Sequence, residues 1–173
     1  MSLKNKITGY LLDSKVRPVL YRLSQTLNFP AKASVIKKVL VVMPRNMSLL
    51  EDANRFIQSL RKSYPNWRVE LFDVDKLSEK DLNRMSLPRD EIVDKLRNAK
   101  YNFVMDLNDQ PDQLSAYVAL MTEAPYRLHL NADESDFFNL TFQPQTNGDG
   151  SSPRKESEFY NSLLEYLGKL FVN

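Results

Sequence analysis

The chain has 173 residues, of which 42% are hydrophobic and 27% are charged, and its formal net charge at pH 7 is +2. These values fit a folded globular domain and exclude a chain that is disordered over most of its length. The sequence has no cysteine, one histidine (His129) and four glycines, which excludes disulfide scaffolds, thiolate zinc sites and cysteine nucleophiles, and nearly excludes a glycine-rich phosphate loop.

The charge is distributed unevenly along the chain. Residues 1–38 hold eight Lys or Arg residues against one acidic residue, which leaves a net charge of −5 for residues 39–173. A basic arm on a mildly acidic body suggests contact with an anionic surface, but we favour an ordinary solvated helix face. Because no apolar run reaches about 18 residues and no signal-peptide pattern is present, we expect a cytoplasmic protein. A peripheral position at the inner face of the membrane is the alternative.

The first predicted element is an amphipathic helix over residues 4–27, where apolar residues recur mostly at steps of three or four. Pro18 interrupts this pattern and predicts either a kink or a second helix that begins near it. Residues 29–37 are interpreted as a linker that lies on the body. The chain is therefore divided into a basic N-terminal helix and linker, residues 1–37, and an α/β domain, residues 38–173.

From residue 38 onward, short apolar runs typical of buried strands alternate with amphipathic segments typical of helices. Strands are predicted at residues 39–43, 67–72, 101–106, 126–130 and 138–142. Helices are predicted at residues 48–63, 88–98, 112–122 and 155–171, the first opened by the capping-box spacing of Ser48 and Glu51. This alternation indicates a three-layer, Rossmann-like α/β fold with five parallel strands in the order 3-2-1-4-5 and the basic helix packed against it.

Ligands of such a sheet bind beyond the carboxyl ends of its strands. Polar residues that follow the first and third predicted strands are therefore candidate ligand-binding residues: Arg45, Asn46, Ser48 and Asn108. Together with the free amides at the start of helix 48–63, they could hold a phosphate or a carboxylate. An ordinary helix cap beside a solvated arginine explains the same residues, and we favour that interpretation.

The same edge carries two candidate catalytic residues, Asp106 and His129. His129 could act as a general base or as a donor to phosphate, although a lone histidine is more often structural. Asp106, Asp109 and Asp112 suggest a divalent cation, but capping and turn chemistry explain them, so we predict neither a metal site nor a cofactor. No serine has a partner histidine at a recognisable spacing, so no hydrolase triad is predicted.

Five segments follow one another along the predicted sheet. They are Lys38-Val-Leu-Val-Val-Met-Pro-Arg45, Ser59-Leu-Arg-Lys-Ser-Tyr-Pro-Asn66, Trp67-Arg-Val-Glu-Leu-Phe72, Tyr101-Asn-Phe-Val-Met-Asp-Leu-Asn108 and Ala119-Leu-Met-Thr-Glu-Ala-Pro-Tyr-Arg-Leu128. In this order and spacing they resemble the heptosyltransferases, the ADP-heptose:lipopolysaccharide enzymes of glycosyltransferase family nine, over roughly residues 37–130. The resemblance implies a bacterial protein and the acceptor-side half of a two-domain transferase.

The resemblance also has departures. The family opens its first helix with a Gly-Asp pair whose aspartate is the proposed catalytic base, whereas Ser48 and Leu49 stand at that position here. Glu51 and Asp52 lie one turn further on, and the resemblance makes them candidate catalytic residues, because Glu51, Asp52 or Asp106 would have to serve as the base. The family needs a second Rossmann domain that binds the sugar nucleotide, and we expect this chain to stand without it.

These observations predict a non-catalytic or catalytically incomplete glycosyltransferase-like half-domain that acts in binding or assembly, and more readily a non-enzyme than an enzyme. The alternatives are a glycosyltransferase subunit that needs a separate donor-binding chain, or a module that binds a small phosphorylated ligand. A protein partner or a second copy of the chain is the expected partner, and weak contact of residues 4–27 with an anionic membrane is an alternative. Nucleic acid is not favoured, because Tyr10 and Tyr21 fit the apolar stripe of the helix.

Overall fold

In a computed structural model of the chain, residues 14–130, 136–143 and 156–172 are described. The α-helices of these residues are α1 (residues 14–22), α2 (Leu50–Ser63), α3 (Asp90–Asn98), α4 (Gln113–Met121) and α5 (Glu156–Leu170). The strands are β1 (Ala31–Lys32), β2 (Lys38–Val42), β3 (Arg68–Phe72), β4 (Phe103–Asp106), β5 (Tyr126–His129), β6 (Leu140–Thr141) and β7 (Phe171–Val172). None of these helices is both long enough and apolar enough to cross a bilayer.

The centre of the fold is a parallel sheet of five strands, in the order β3-β2-β4-β5-β6. This confirms the Rossmann-like α/β fold with five parallel strands. Counted along the chain, however, the strands of this sheet lie in the order 2-1-3-4-5, so the predicted order 3-2-1-4-5 is wrong.

The polarity of β3 explains the order of the strands. Arg68 and Leu71 of this strand are exposed, whereas every residue of β4 is buried. A strand with exposed residues suits the edge of a sheet, and a strand buried along its whole length suits the centre, where both faces are covered. The predicted order would have placed the third strand at the edge and the second strand inside.

Alternate residues of the central strands enter two separate layers of the core. One layer lies under α2 and α5 and receives Val39, Val41, Phe103 and Met105 from the sheet. The opposite layer lies under α3 and α4 and receives Leu40, Val42 and Val104. Beyond it, α1 packs against α3 and α4 through Val16 and Val19. The helices thus cover both faces of the sheet, as expected for a doubly wound fold.

The N-terminal segment differs from its prediction in three respects. The part of the predicted helix 4–27 that lies in the described residues ends at residue 22, where the Ser24 hydroxyl donates to the Tyr21 carbonyl at 2.7 Å and competes with the helical bond. Residues 4–13 lie outside the described residues. Tyr21, which the periodicity predicts on the apolar stripe of the helix, is 84% exposed. The stripe therefore gives no reason to disfavour stacking on nucleic-acid bases at Tyr21, and the choice of partner stays a prediction.

The segment interpreted as a linker contains a short strand. In this segment, β1 pairs in parallel with β7 near the end of the chain, and the Trp67 indole donates to the Ala33 carbonyl at 3.0 Å. Two-residue strands that join distant parts of a chain leave no periodic pattern, so neither was predicted. The division between residues 37 and 38 stays a prediction.

Candidate functional site

The order of the strands reverses between the neighbouring strands β2 and β4, and the loops that follow these two strands lie at the carboxyl edge of the sheet. In such folds ligands bind at this switch point, because the loops on either side lead to helices on opposite faces. Here the two loops are joined to one another. The Arg45 backbone N–H donates to Asn108 Oδ1 at 2.9 Å, and Asn46 Nδ2 donates to Asp109 Oδ2 at 3.3 Å. Three predicted ligand-binding residues, Arg45, Asn46 and Asn108, are therefore brought together.

The guanidinium of Arg45 lies between two carboxylates. Its Nε donates to Asp75 Oδ1 at 2.9 Å, and its Nη1 donates to Asp112 Oδ2 at 2.8 Å. The hydrogen bond to Asp112, followed by that to Asp75, raises the pKa of Arg45 above its usual value. A phosphate at this point would have to displace carboxylates that already neutralise the arginine. The phosphate site stays a prediction, and these contacts do not favour it.

The turn before α2 is capped by Asn46 rather than Ser48. Asn46 Oδ1 accepts from the Ser48 backbone N–H at 3.1 Å and from the Ser48 hydroxyl at 2.9 Å. Residues Met47–Leu49 form a 3₁₀ turn, and α2 begins only at Leu50. The capping box predicted for Ser48 and Glu51 is therefore wrong, because Asn46 forms the Asx-type turn first.

Two of the predicted catalytic carboxylates belong to α2, where Glu51 is exposed and Asp52 is partly buried. Glu51 forms an ion pair with Arg55 one turn along the helix, and the Asp52 carboxylate lies 3.5 Å from the same guanidinium. These are ordinary i,i+4 and i,i+3 pairs. Nothing in these contacts directs either carboxylate toward a pocket.

Asp106 ends β4 and is completely buried. Its Oδ1 accepts from the backbone N–H of Asn108 at 3.1 Å and from Asn108 Nδ2 at 2.6 Å. Asn108 Nδ2 also donates to the Ser115 hydroxyl at 3.1 Å. Asn108 is itself buried, so it holds Asp106, the loop of Arg45 and helix α4 in place and is a positioning residue.

His129 ends the next strand and faces Asp106. The two residues are register partners in the β4–β5 pair, and His129 is 4% exposed. Its ring stacks on Phe138, with centroids 4.7 Å apart and an angle of 18° between the planes. His129 Nδ1 lies 3.6 Å from Asp106 Oδ2, which is too long for a hydrogen bond. Neither atom has a hydrogen-bond partner among the described residues.

These two side chains line a pocket of about 290 Å³ beside the first turn of α4. The other lining residues are Pro111, Asp112, Gln113, Ala116, Phe137 and Phe138. Asp112 also caps α4, since its Oδ1 accepts from the Ser115 N–H at 2.8 Å. Burial raises the pKa of Asp112, but the Ser115 N–H and Arg45 outweigh burial and leave the pKa below 3.8. Asp112 is therefore ionised at neutral pH.

The three aspartates considered as cation ligands make different contacts. Asp106 is buried at the end of β4, Asp109 accepts from Asn46, and Asp112 caps α4 and pairs with Arg45. Among the residues with a described position, no three His, Cys, Asp or Glu side chains are grouped so that they could hold a metal ion.

The residue that holds the aromatic side of the pocket in place is not predicted from the sequence. Arg127 is buried two residues before His129, and its Nε donates to the Phe137 carbonyl at 2.7 Å while Nη1 donates to the Ala124 carbonyl at 2.7 Å. Burial lowers the pKa of Arg127 to about 10, so it stays charged at neutral pH. Arg127 thus anchors the segment that presents Phe137 and Phe138. The available signal was the two-residue spacing from His129, which places both side chains on one face of the strand.

Two basic residues of α1, Lys15 and Arg22, form ion pairs with acidic residues of the α/β domain. Lys15 Nζ lies 3.1 Å from Asp90 Oδ1, and Arg22 Nη2 lies 2.5 Å from Glu123 Oε1. Glu123 also pairs with Arg97 of α3 at 2.8 Å, so α1 is tied to the face formed by α3 and α4.

Comparison with known proteins adds no family to these observations. No family model matches the chain, and neither a curated protein nor a solved structure shows significant similarity to it.

Proposed function

We propose that this chain is a non-catalytic binding domain for a small molecule, which it takes up in the pocket between the ends of β4 and β5 and the first turn of α4. One observation carries the proposal. Asp106 Oδ2 and His129 Nδ1 are buried in the wall of this pocket, 3.6 Å apart, and have no hydrogen-bond partner in the described part of the chain.

Buried polar atoms without partners are uncommon, because each costs about 1–3 kcal/mol of folding free energy. Here two such atoms lie side by side at the carboxyl edge of a parallel sheet, where ligands of this fold class bind. Both atoms are inaccessible to solvent in this structure, so a ligand that displaces the wall of the pocket and hydrogen-bonds to both would recover this cost. The free protein would therefore hold its binding groups ready at the expense of stability.

The geometry of the site is organised in advance. Asn108 holds Asp106 through Oδ1 and leaves Oδ2 without a partner, and Phe138 holds the ring of His129 by stacking. Side chains that are already ordered lose little conformational entropy when a ligand binds. The volume of about 290 Å³ lies near the lower limit for small-molecule pockets and is too small for a dinucleotide.

The glycosyltransferase resemblance remains a proposal beside this one. The parallel sheet agrees with it, but one fold hosts many functions, so the fold alone does not support transfer chemistry. At the position of the family's base the chain has the Met47–Leu49 turn, and Glu51 pairs with Arg55. Contact of residues 4–27 with the inner face of a membrane also stays a proposal.

The test uses His129, the only histidine in the chain, as a reporter. A library of cationic, neutral and anionic fragments is titrated while the imidazole C–H resonances of His129 are followed by NMR. We expect fragments of at least one class to shift these resonances in a saturable way. Ala116→Met, which fills the pocket from α4, should abolish the shifts, whereas Asp109→Asn on the exposed loop should leave them unchanged.

Two outcomes would overturn the proposal. One is a library in which no fragment shifts the His129 resonances. The other is a set of fragments that bind the Ala116→Met protein as well as the unmodified one. Thermal unfolding of both variants, compared with the parent protein, establishes that each is folded before its binding is interpreted.

A further inference from the structure

We infer that the pocket selects a neutral compound, a single apolar ring that carries one hydroxyl group, over organic anions and cations of the same size. This inference rests on the proposed function, since it assumes that a ligand enters the pocket. It assigns the charge and the body of that ligand. It does not depend on contact with Asp106 Oδ2 or His129 Nδ1, which are inaccessible to solvent.

The body of the ligand is set by the apolar part of the lining. Half of the residues that line the pocket are apolar, namely Pro111, Ala116, Phe137 and Phe138. Both phenylalanines are only partly buried, so a ring that covers them removes further apolar surface from water. The volume of about 290 Å³ lies near the lower limit for small-molecule pockets, which suits one ring with a short substituent.

An organic anion finds no accessible cation in this pocket. The described lining includes carboxylates, from Asp106 and Asp112, but neither Lys nor Arg. The buried cation Arg127 lies behind the lining, where its Nε and Nη1 each bind a backbone carbonyl at 2.7 Å, and it is only 3% exposed. An anion that enters would therefore lose its hydration without gaining a positive partner.

An organic cation finds no free carboxylate either. Asp106 is completely buried, so Asp112 is the carboxylate that a ligand can approach. Both oxygens of Asp112 already accept hydrogen bonds, Oδ1 from the Ser115 N–H and Oδ2 from Arg45 Nη1, each at 2.8 Å. Because Arg45 matches the charge of Asp112, a cation would have to displace an arginine or stay without a counter-charge.

A neutral compound avoids both of these costs. Its ring packs on Phe137 and Phe138, and its hydroxyl group has a partner in Gln113, whose carboxamide lies at the first turn of α4 and can both donate and accept. Apolar walls with a few polar groups that fix orientation are the usual lining of small-molecule sites. The charges around the pocket therefore stabilise the protein itself and leave none for a ligand.

The experiment compares three probes that share one ring and differ in charge: benzyl alcohol, benzylamine and benzoate. Each is titrated into the full chain at neutral pH, and its Kd is taken from the concentration dependence of the His129 C–H shifts. We expect benzyl alcohol to bind about tenfold more tightly than either charged probe.

Two matched variants test the role of Arg45. Arg45→Gln removes the positive partner of Asp112, so benzylamine should gain about two- to fivefold in affinity relative to benzyl alcohol. Arg55→Gln makes the same change at an exposed arginine of α2, which pairs with Glu51, and should leave the ratio of the two affinities unchanged. Thermal unfolding of both variants establishes that each is folded.

The outcomes separate this inference from the proposed function. If benzylamine or benzoate binds the unmodified protein as tightly as benzyl alcohol does, selectivity for a neutral ligand is refuted and the binding function stands. If the ratio of benzylamine to benzyl alcohol affinity is the same in Arg45→Gln as in the parent, the charge matching assigned to Arg45 is refuted. If all three probes leave His129 unshifted while other fragments bind, the ligand class is wrong, and only the absence of any binding fragment overturns the proposed function.

Discussion

Replacing Asp106 by asparagine should make the protein more stable, although the residue is buried at the centre of the candidate site. Asparagine keeps an oxygen that can accept from Asn108, and it places an N–H₂ group where Oδ2 stood, 3.6 Å from His129 Nδ1. A contraction of about 0.6 Å would convert this unpartnered contact into a hydrogen bond of ordinary length.

The expected gain follows from the cost of an unpartnered buried polar atom, which is about 1–3 kcal/mol. For a chain of this length, each kcal/mol corresponds to roughly 2–4 °C in the melting temperature. Asp106→Asn should therefore raise the melting temperature by about 2–12 °C while it weakens the binding of a ligand that reaches Asp106. Gain of stability with loss of binding is the expected signature of a site built for a ligand.

The assay is urea and thermal unfolding followed by the fluorescence of Trp67, the only tryptophan. Trp67 lies in the layer under α2 and α5, on the opposite side of the sheet from the pocket, where its ring stacks on Tyr64. Asp109→Asn makes the same chemical change at an exposed position and should alter the free energy of unfolding by about 0.5 kcal/mol or less. A clear loss of stability in Asp106→Asn would refute the reasoning, because it would show that the Asp106–His129 pair stabilises the free protein.

Three further predictions concern the scaffold. Lys100 follows α3 with φ of 56°, a left-handed conformation, so Lys100→Gly should stabilise the protein by about 1 kcal/mol in urea unfolding, whereas Lys100→Ala should not. Partial burial raises the pKa of Glu123, but hydrogen bonds from two arginines outweigh it and leave the pKa below 4.5. This stabilisation is present above the unfolded pKa and is lost as the pH falls through the folded value. The stability difference between the parent protein and Glu123→Gln should therefore shrink between about pH 5 and pH 3, and a constant difference would contradict this. Trp67→Phe removes the indole donor from the Ala33 carbonyl, which still accepts from the Ile36 N–H at 3.1 Å. It should therefore cost about 0.5–1.5 kcal/mol for the lost hydrogen bond, measured by circular dichroism, and an unchanged midpoint would show that the bond contributes nothing.

Local patterns were sufficient to predict the elements of the sheet and the edge that carries the site. The continuous apolar run of β2 and the alternation of strands with amphipathic helices predicted a parallel sheet, and five parallel strands are present. The same patterns placed Asp106 and His129 at the ends of two strands. Parallel strands end at one edge, so both side chains were expected at that edge without knowledge of their separation.

The separation of these two side chains depends on the order of the strands, and the order predicted from the sequence is wrong. In the order 3-2-1-4-5, two strands would stand between Asp106 and His129 and hold them about 14 Å apart, because neighbouring strands are spaced by nearly 5 Å. In the structure β4 and β5 are neighbours, and the register places Asp106 directly beside His129. Amino-acid periodicity reports which residues are buried and on which face, because burial is a local property of a strand. Which strands become neighbours depends on how all five share two apolar layers, and only the packed fold decides it.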